Sequence, residues 1–290
     1  MLPLDIRLRL EYELGEKVQE VSPVSGGCIG TAAKLRTGSG VFFAKWGNPD
    51  VARTFSTERI GLRSLLEAAH LIRIPEVVAE FYADSGDGIL VLEWIEEGQY
   101  TTESWARLGR GLAEIHETNN ELYGFSSDNF IGASVQSNGW EANWVVFFRE
   151  KRLIPQMKMA RSRGLWRSTW DADFNRLLDG LEAVLPENPG ASFVHGDLWK
   201  GNVLVDSNGI PVLVDPAVYY GHHEVDIAMS LLFGEFGRSF YDSYAESCPL
   251  EDGFSQRREV YNLYHLLNHL NLFGSSYGSA VEIILRSFEI

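Results

Sequence analysis

The sequence predicts an α+β chain in two lobes: a small β-rich N-terminal lobe over residues 1–95 and a larger, mainly helical C-terminal lobe over residues 96–290. Three observations predict it. Up to about residue 95 the chain reads as short strands with one helix, and from Thr102 onward apolar residues recur near a period of 3.6. Between the two lies Glu96-Glu97-Gly98, which reads as a linker. In the first lobe, residues 18–35 hold two β-prone stretches around Ser25-Gly26-Gly27-Cys28-Ile29-Gly30, and residues 40–46 make another strand. Phe55, Ile60, Leu62, Leu65 and Leu66 carry helical spacing over residues 55–69. Pro75 resets the chain, and residues 89–95 form a continuous apolar strand. In the second lobe Trp105, Leu108, Leu112, Ile115 and His116 keep the helical period. Residues 140–148, 170–185, 259–273 and 280–288 behave likewise. The one interruption is a β-hairpin, residues 203–205 and 212–214 around Asn208-Gly209, a pair suited to a type I′ turn. Ligands favour the cleft of such a plan.

Composition narrows the function. The chain has 290 residues, 45% of them hydrophobic, so a sizeable core is available and global disorder is excluded. With 25 basic against 40 acidic residues the formal charge is -15, which lacks the basic footprint of a nucleic-acid binder and disfavours an anionic membrane surface. No apolar run approaches the roughly 18 residues of a membrane span. Met1 to Arg7 places charges where a secretory signal needs an apolar stretch. Cys28 and Cys248 are too few for a disulfide framework or a structural zinc site. The expectation is an acidic cytoplasmic enzyme.

The chemistry concentrates in His195-Gly-Asp197-Leu-Trp199-Lys-Gly-Asn202, followed by the hairpin and Asp215-Pro216. Phosphoryl transfer from ATP needs a carboxylate to deprotonate the attacking hydroxyl and oxygen ligands for the Mg²⁺ that neutralises the phosphates. Asp197 and Asn202 have the Asp-x-x-x-x-Asn spacing that presents base and metal ligand from one loop, and Asp215 falls where a second metal ligand belongs. Taken singly, each is an ordinary turn former. Gly26 and Gly27 would bring backbone amides to phosphates, or form a plain hairpin turn. Lys45 alternates with Phe43, a solvated position unless Glu58 on the next helix pairs with it and holds it against the phosphates.

Several stretches resemble the fructosamine kinase (ketosamine-3-kinase) family of the aminoglycoside phosphotransferase and protein-kinase-like superfamily. They are Ser25-Gly-Gly-Cys-Ile29, Leu92-Glu-Trp-Ile95, Asp128-Asn-Phe-Ile-Gly132, Phe147-Phe-Arg-Glu-Lys-Arg-Leu153, the His195 loop, Asp215-Pro-Ala-Val-Tyr-Tyr-Gly-His222 and Tyr264 to Gly274. The resemblance implies a bilobal protein-kinase-like fold and ATP-dependent phosphorylation of the 3-hydroxyl of ribulosamines or fructosamines on glycated amines or protein lysines, with the smaller sugars favoured. It implies Asp197 as proton acceptor, Asn202 and Asp215 on Mg²⁺, and Lys45 on the phosphates. It also implies Glu93, Trp94 and Ile95 as the strand whose backbone meets adenine, and Trp199 as a platform against the sugar. An Arg often stands in the family where His223 is here, and a Gly at Glu235.

The alternatives are a kinase of another small hydroxyl compound, such as an aminoglycoside or choline, and a nucleotide-sensing protein without catalysis. The intact set of Lys45, Asp197, Asn202 and Asp215 speaks against the last. Cys28 is either a small buried hydrophobe or an exposed thiol able to link two copies into an oxidation-sensitive homodimer; otherwise the chain is a monomer. His265 and His269 have metal-ligand spacing but read as helix or cleft histidines. Asp226 reads as a cap or a brace on the catalytic loop, and Asp128-Asn129 as a loop beside the substrate or a simple turn.

Overall fold

The computed structural model describes residues 2–24 and 30–288. Gly26, Gly27 and Cys28 lie outside the described residues. Helix α1 (Leu4–Leu14) opens the chain, which corrects the expectation of a single helix in this part. Its apolar residues alternate at period 2, a strand pattern, yet the segment is helical. It buries Ile6 and Leu10 and leaves Leu4, Leu8 and Tyr12 exposed. Ion pairs at i,i+4 (Arg7–Glu11, 3.0 Å) and Gly15 in the left-handed conformation (φ 70°) support and end it.

Strands β1 (Glu20–Pro23), β2 (Thr31–Arg36) and β3 (Val41–Gly47) precede a one-turn helix α2 (Pro49–Ala52) and α3 (Phe55–Ala68), and β4 (Val77–Tyr82) and β5 (Gly88–Glu93) follow. The five strands form one antiparallel sheet in the order β1-β2-β3-β5-β4. One face packs on α1 through Ala33, Leu35, Ala44 and Val91. On the other, Leu90 and Leu92 join Leu62 and Leu65 of α3 in an apolar cluster that continues into the helical part.

That part begins with α4 (Thr102–His116), opened by a reciprocal capping box between Thr101 and Ser104. There follow β6 (Asn119–Asn120), the hairpin β7 (Asn129–Ile131) and β8 (Ser134–Gln136), and α5 (Trp144–Phe148), which runs through a π turn (Arg149–Leu153) into α6 (Ile154–Ser162). The β7–β8 hairpin escaped the sequence reading, and α5 starts four residues later than expected. Residues 170–185 are not one helix but α7 (Asp171–Asp179) and α8 (Leu181–Val184), parted at Gly180. Strands β9 (Ala191–Val194) and β12 (Tyr219–Gly221) pair, with β6 on the far edge of β9. Between them in sequence stands the expected hairpin, β10 (Val203–Val205) and β11 (Pro211–Leu213). Its turn is not type I′. Gly209 has φ 81° but Asn208 does not have positive φ, and Asp206 closes a three-residue loop by backbone bonds to Gly209 and Ile210. The Asp206 carboxylate accepts from the Asn208 and Ile210 amides, which replaces the second left-handed residue. The fold ends with α9 (Glu224–Ser230), α10 (Arg238–Ser247), α11 (Phe254–Phe273) and α12 (Gly278–Ser287). No helix among the described residues is long and apolar enough to cross a membrane.

Candidate active site

The catalytic-loop candidates hang from β9. His195 is buried, its Nε2 3.1 Å from the Val214 carbonyl, and burial lowers its pKa. Its amide and that of Gly196 donate to the two oxygens of Asp226 at 2.7 and 2.9 Å. Asp226 is therefore a brace: burial would raise its pKa, but His116 at 3.2 Å and these amides hold it low. Gly196 has φ 81°, and a Cβ there would sit 2.1 Å from the Ala217 carbonyl oxygen, so only glycine fits. Leu198 anchors the loop in the core, and Asp197 and Trp199 on either side turn into the cleft.

Asn202 donates through Nδ2 to Asp197 Oδ2 (3.0 Å) and to the Asp197 carbonyl (2.8 Å). Burial pushes the Asp197 carboxyl up to about 7 against the pull of the Asn202 amide, with Asp215 and Asp226 adding to the rise. Asp215 follows β11 at φ 52°, the one non-glycine residue with positive φ among the described residues. Burial opposes its ionisation, yet Lys45 Nζ at 2.8 Å outweighs that and lowers its pKa. Lys45 also pairs with Glu58, and both side chains are nearly buried. Burial works against the Lys45 charge, and the two carboxylates more than restore it. The alternation with Phe43 holds, but the face is the cleft wall and not solvent.

These groups line one cleft, Lys45, Glu58, Asp197, Trp199, Asn202 and Asp215 together with Phe130. An apolar extension shares Ala32, Phe43 and Asp215 with it and adds Val24, Leu92, Trp94, Ile95, Leu204 and Val214. The Glu93 carboxylate turns away from this pocket onto Arg73, which also holds Asp206 at 2.8 Å. Trp94 stacks under Lys34 at 4.2 Å and donates to Glu96.

Sequence reasoning missed Ala32, Leu204 and Val214, small and branched apolar residues with no signal beyond their strands. It named His116 only for its helical spacing, which says nothing of its partner Asp226, 110 positions away. His265 is buried and neutral, His269 Nδ1 lies against the His265 carbonyl, and no group of three or more His, Cys, Asp or Glu able to hold a metal occurs among the described residues.

Comparison with known proteins places this geometry. The model of the fructosamine kinase family matches residues 5–289. The chain belongs to the fructosamine kinase family. It is 39% identical over 272 residues to a Synechocystis protein described as a ketoamine kinase, covering 93% of this chain and 90% of the other. It is 37% identical over 276 residues to the chloroplastic protein-ribulosamine 3-kinase of Arabidopsis thaliana, covering 94% and 83%. A solved Thermobifida fusca structure, described as a fructosamine-3-kinase, superposes with TM-score 0.86 at 29% identity over 97% of each chain. An aminoglycoside phosphotransferase crystallised with AMP-PNP and hygromycin B shares the fold at TM-score 0.66 and 18% identity. The expected bilobal protein-kinase-like fold is thereby established, as is the kinase family.

Proposed function

We propose that this chain is an ATP-dependent ketosamine 3-kinase acting on ribulosamines and fructosamines carried by amines or protein lysines. One observation carries the reading: Lys45, Asp197, Asn202 and Asp215, spread over 170 positions, converge in a single cleft in a fructosamine kinase family chain. The division near residue 95 makes the sheet the nucleotide lobe and the helical part the substrate lobe. In the apolar extension, the backbone of Glu93, Trp94 and Ile95 would meet the adenine, between Ala32 and Leu204.

The donor set suits Mg²⁺. Asp215 offers a carboxylate, and because Asn202 spends its Nδ2 on Asp197, its Oδ1 takes no hydrogen bond among the described residues. Hard oxygen donors of this kind match the ion. When bound, Mg²⁺ supplies charge neutralisation at the phosphates. Lys45, kept charged by Glu58, would balance phosphate charge beside it. Asp197 accepts the proton of the 3-hydroxyl as its oxygen attacks the γ-phosphorus and the bond to ADP breaks. A carboxyl pushed up to about 7 is a stronger base than an ordinary one and is about half ionised near neutrality. Trp199 gives the sugar a flat apolar face beside that base.

The test is a panel of ribulosyl-lysine, fructosyl-lysine, an aminoglycoside and choline offered with labelled ATP. Label on the sugar 3-hydroxyl, with higher kcat/KM for ribulosyl-lysine, is expected. Transfer to the aminoglycoside or choline alone would overturn the substrate class, and ATP binding without transfer to any of them would favour a nucleotide sensor.

A further inference from the structure

Arg152 is fully buried and makes no ion pair among the described residues. Its guanidinium lies 4.0 Å from the Tyr219 ring centre and 4.6 Å from that of Phe147, and it donates to the Ser137 carbonyl at 2.6 Å. Burying a cation without a carboxylate is costly, so a role for its donors is expected.

Those donors set the direction of a chain of buried amides. Arginine only donates. Arg152 therefore faces the Asn138 Oδ1 at 2.8 Å, which turns the Asn138 Nδ2 onto Asn129 Oδ1 at 2.9 Å. Asn129 in turn presents Nδ2 to the Val218 carbonyl at 2.8 Å. From the other side, the Tyr264 hydroxyl donates to Gln136 Oε1 at 2.7 Å. Gln136 Nε2 then donates both to Asn129 Oδ1 (2.8 Å) and to the Ala217 carbonyl (3.0 Å). Asn129, Gln136, Asn138, Arg152 and Tyr264 are each at most 5% exposed. The β7–β8 hairpin thus grips two consecutive carbonyls just beyond Asp215.

The gripped segment needs such a hold. Asp215 has φ 52°, a conformation disfavoured for a non-glycine residue, and it precedes a proline, which narrows its choices further. Pro216 has no N–H to contribute. Upstream the Val214 amide is tied to the Asn202 carbonyl at 3.1 Å, and downstream the Ala217 amide is tied to the His195 carbonyl at 2.9 Å. A strained residue persists where its surroundings over-determine it.

We propose that Asn129 and Gln136, oriented by Arg152 and Tyr264, are positioning residues that hold the Asp215 carboxylate at the metal–nucleotide site. This rests on the reading of Asp215 as a metal ligand. Asn129→Asp and Gln136→Glu keep shape but aim an acceptor at a carbonyl. Calorimetric titration should show Mg²⁺·ADP affinity falling about 10–100-fold, as for other groups that orient a ligand, with metal-free ADP affinity unchanged. Amide exchange at Ala217 should quicken. Affinities that fall together, or neither falling, would overturn the proposal. If neither variant folds, Tyr264→Phe, which removes one hydroxyl, is judged by the same criterion with a smaller loss. Asp215→Asn separates the two ideas. If it retains the metal dependence of ADP binding, the ligand reading fails and the proposal falls with it. If it loses that dependence while Asn129→Asp keeps it, only the positioning role fails.

Discussion

At the scale of single residues, Asp197 combines two environments that pull against each other. Burial favours its protonated form, and the Asn202 amide favours the carboxylate while fixing its orientation. Asp197→Asn keeps the shape, and its side-chain oxygen can still accept from Asn202. We expect ADP affinity and melting temperature close to the parent, with kcat for a ribulosamine lowered about 10²–10⁴-fold, the usual worth of a general base. Steady-state kinetics beside nucleotide titration checks this, and a parental kcat would remove Asp197 from the role. The spacing of Asp197 and Asn202 was legible in the sequence because six consecutive residues of one loop keep both groups together whatever surrounds them. Lys45 was less legible. Alternation along a strand says which face it shares with Phe43, and only the packing of α3 makes that face a cleft wall.

At the scale of elements, close approach decides more than propensity. Helices α4 and α10 meet so tightly that a Cβ on Gly109 would stand 2.2 Å from the Phe240 carbonyl oxygen, a backbone atom with little freedom to give. Ala would ordinarily strengthen a helix interior by about 1 kcal/mol over Gly. Here we expect Gly109→Ala to destabilise instead, by about 1–3 kcal/mol net, because overpacking outweighs the propensity gain. Denaturant unfolding gives the sign, and a more stable variant would refute the argument. Helix α1 teaches the converse. Its period-2 pattern fits a strand, but Ile6 and Leu10 suffice to dock a helix on the sheet, at the cost of exposing Leu4, Leu8 and Tyr12. The β7–β8 hairpin was invisible for another reason: three-residue strands carry too few residues to show a period.

At the scale of the whole molecule, histidines buried in neutral form tie stability to pH. Burial lowers His223 to about 3, helped by His116 and Arg257, and lowers His265 to about 3, helped by His269. Both values lie below the unfolded value near 6.5, so the unfolded chain takes up protons first as pH falls. Their stabilising contribution is complete above about pH 6.5 and is lost progressively as pH falls toward 3. At pH 5.5 each costs about 1.4 kcal/mol, so together they should lower the melting temperature by roughly 5–10 °C relative to neutral pH. His265→Gln should flatten that slope, and equal slopes in parent and variant would show that other groups carry the effect.

What the sequence by itself determined was local. The Asp197–Asn202 loop, the β10–β11 hairpin, the long helices and the family resemblance all rest on neighbours within a few turns of chain, where spacing dictates geometry. The tertiary structure decided what spacing leaves open. It set Lys45 against Asp215 across 170 positions, turned the Glu93 carboxylate out of the cleft onto Arg73, and gave Asp226 to the catalytic-loop amides. The physical reason is common to these cases. A polar side chain takes its role from the partner that meets its hydrogen-bonding and charge requirements once water is excluded. That partner is chosen by packing between elements far apart in the chain.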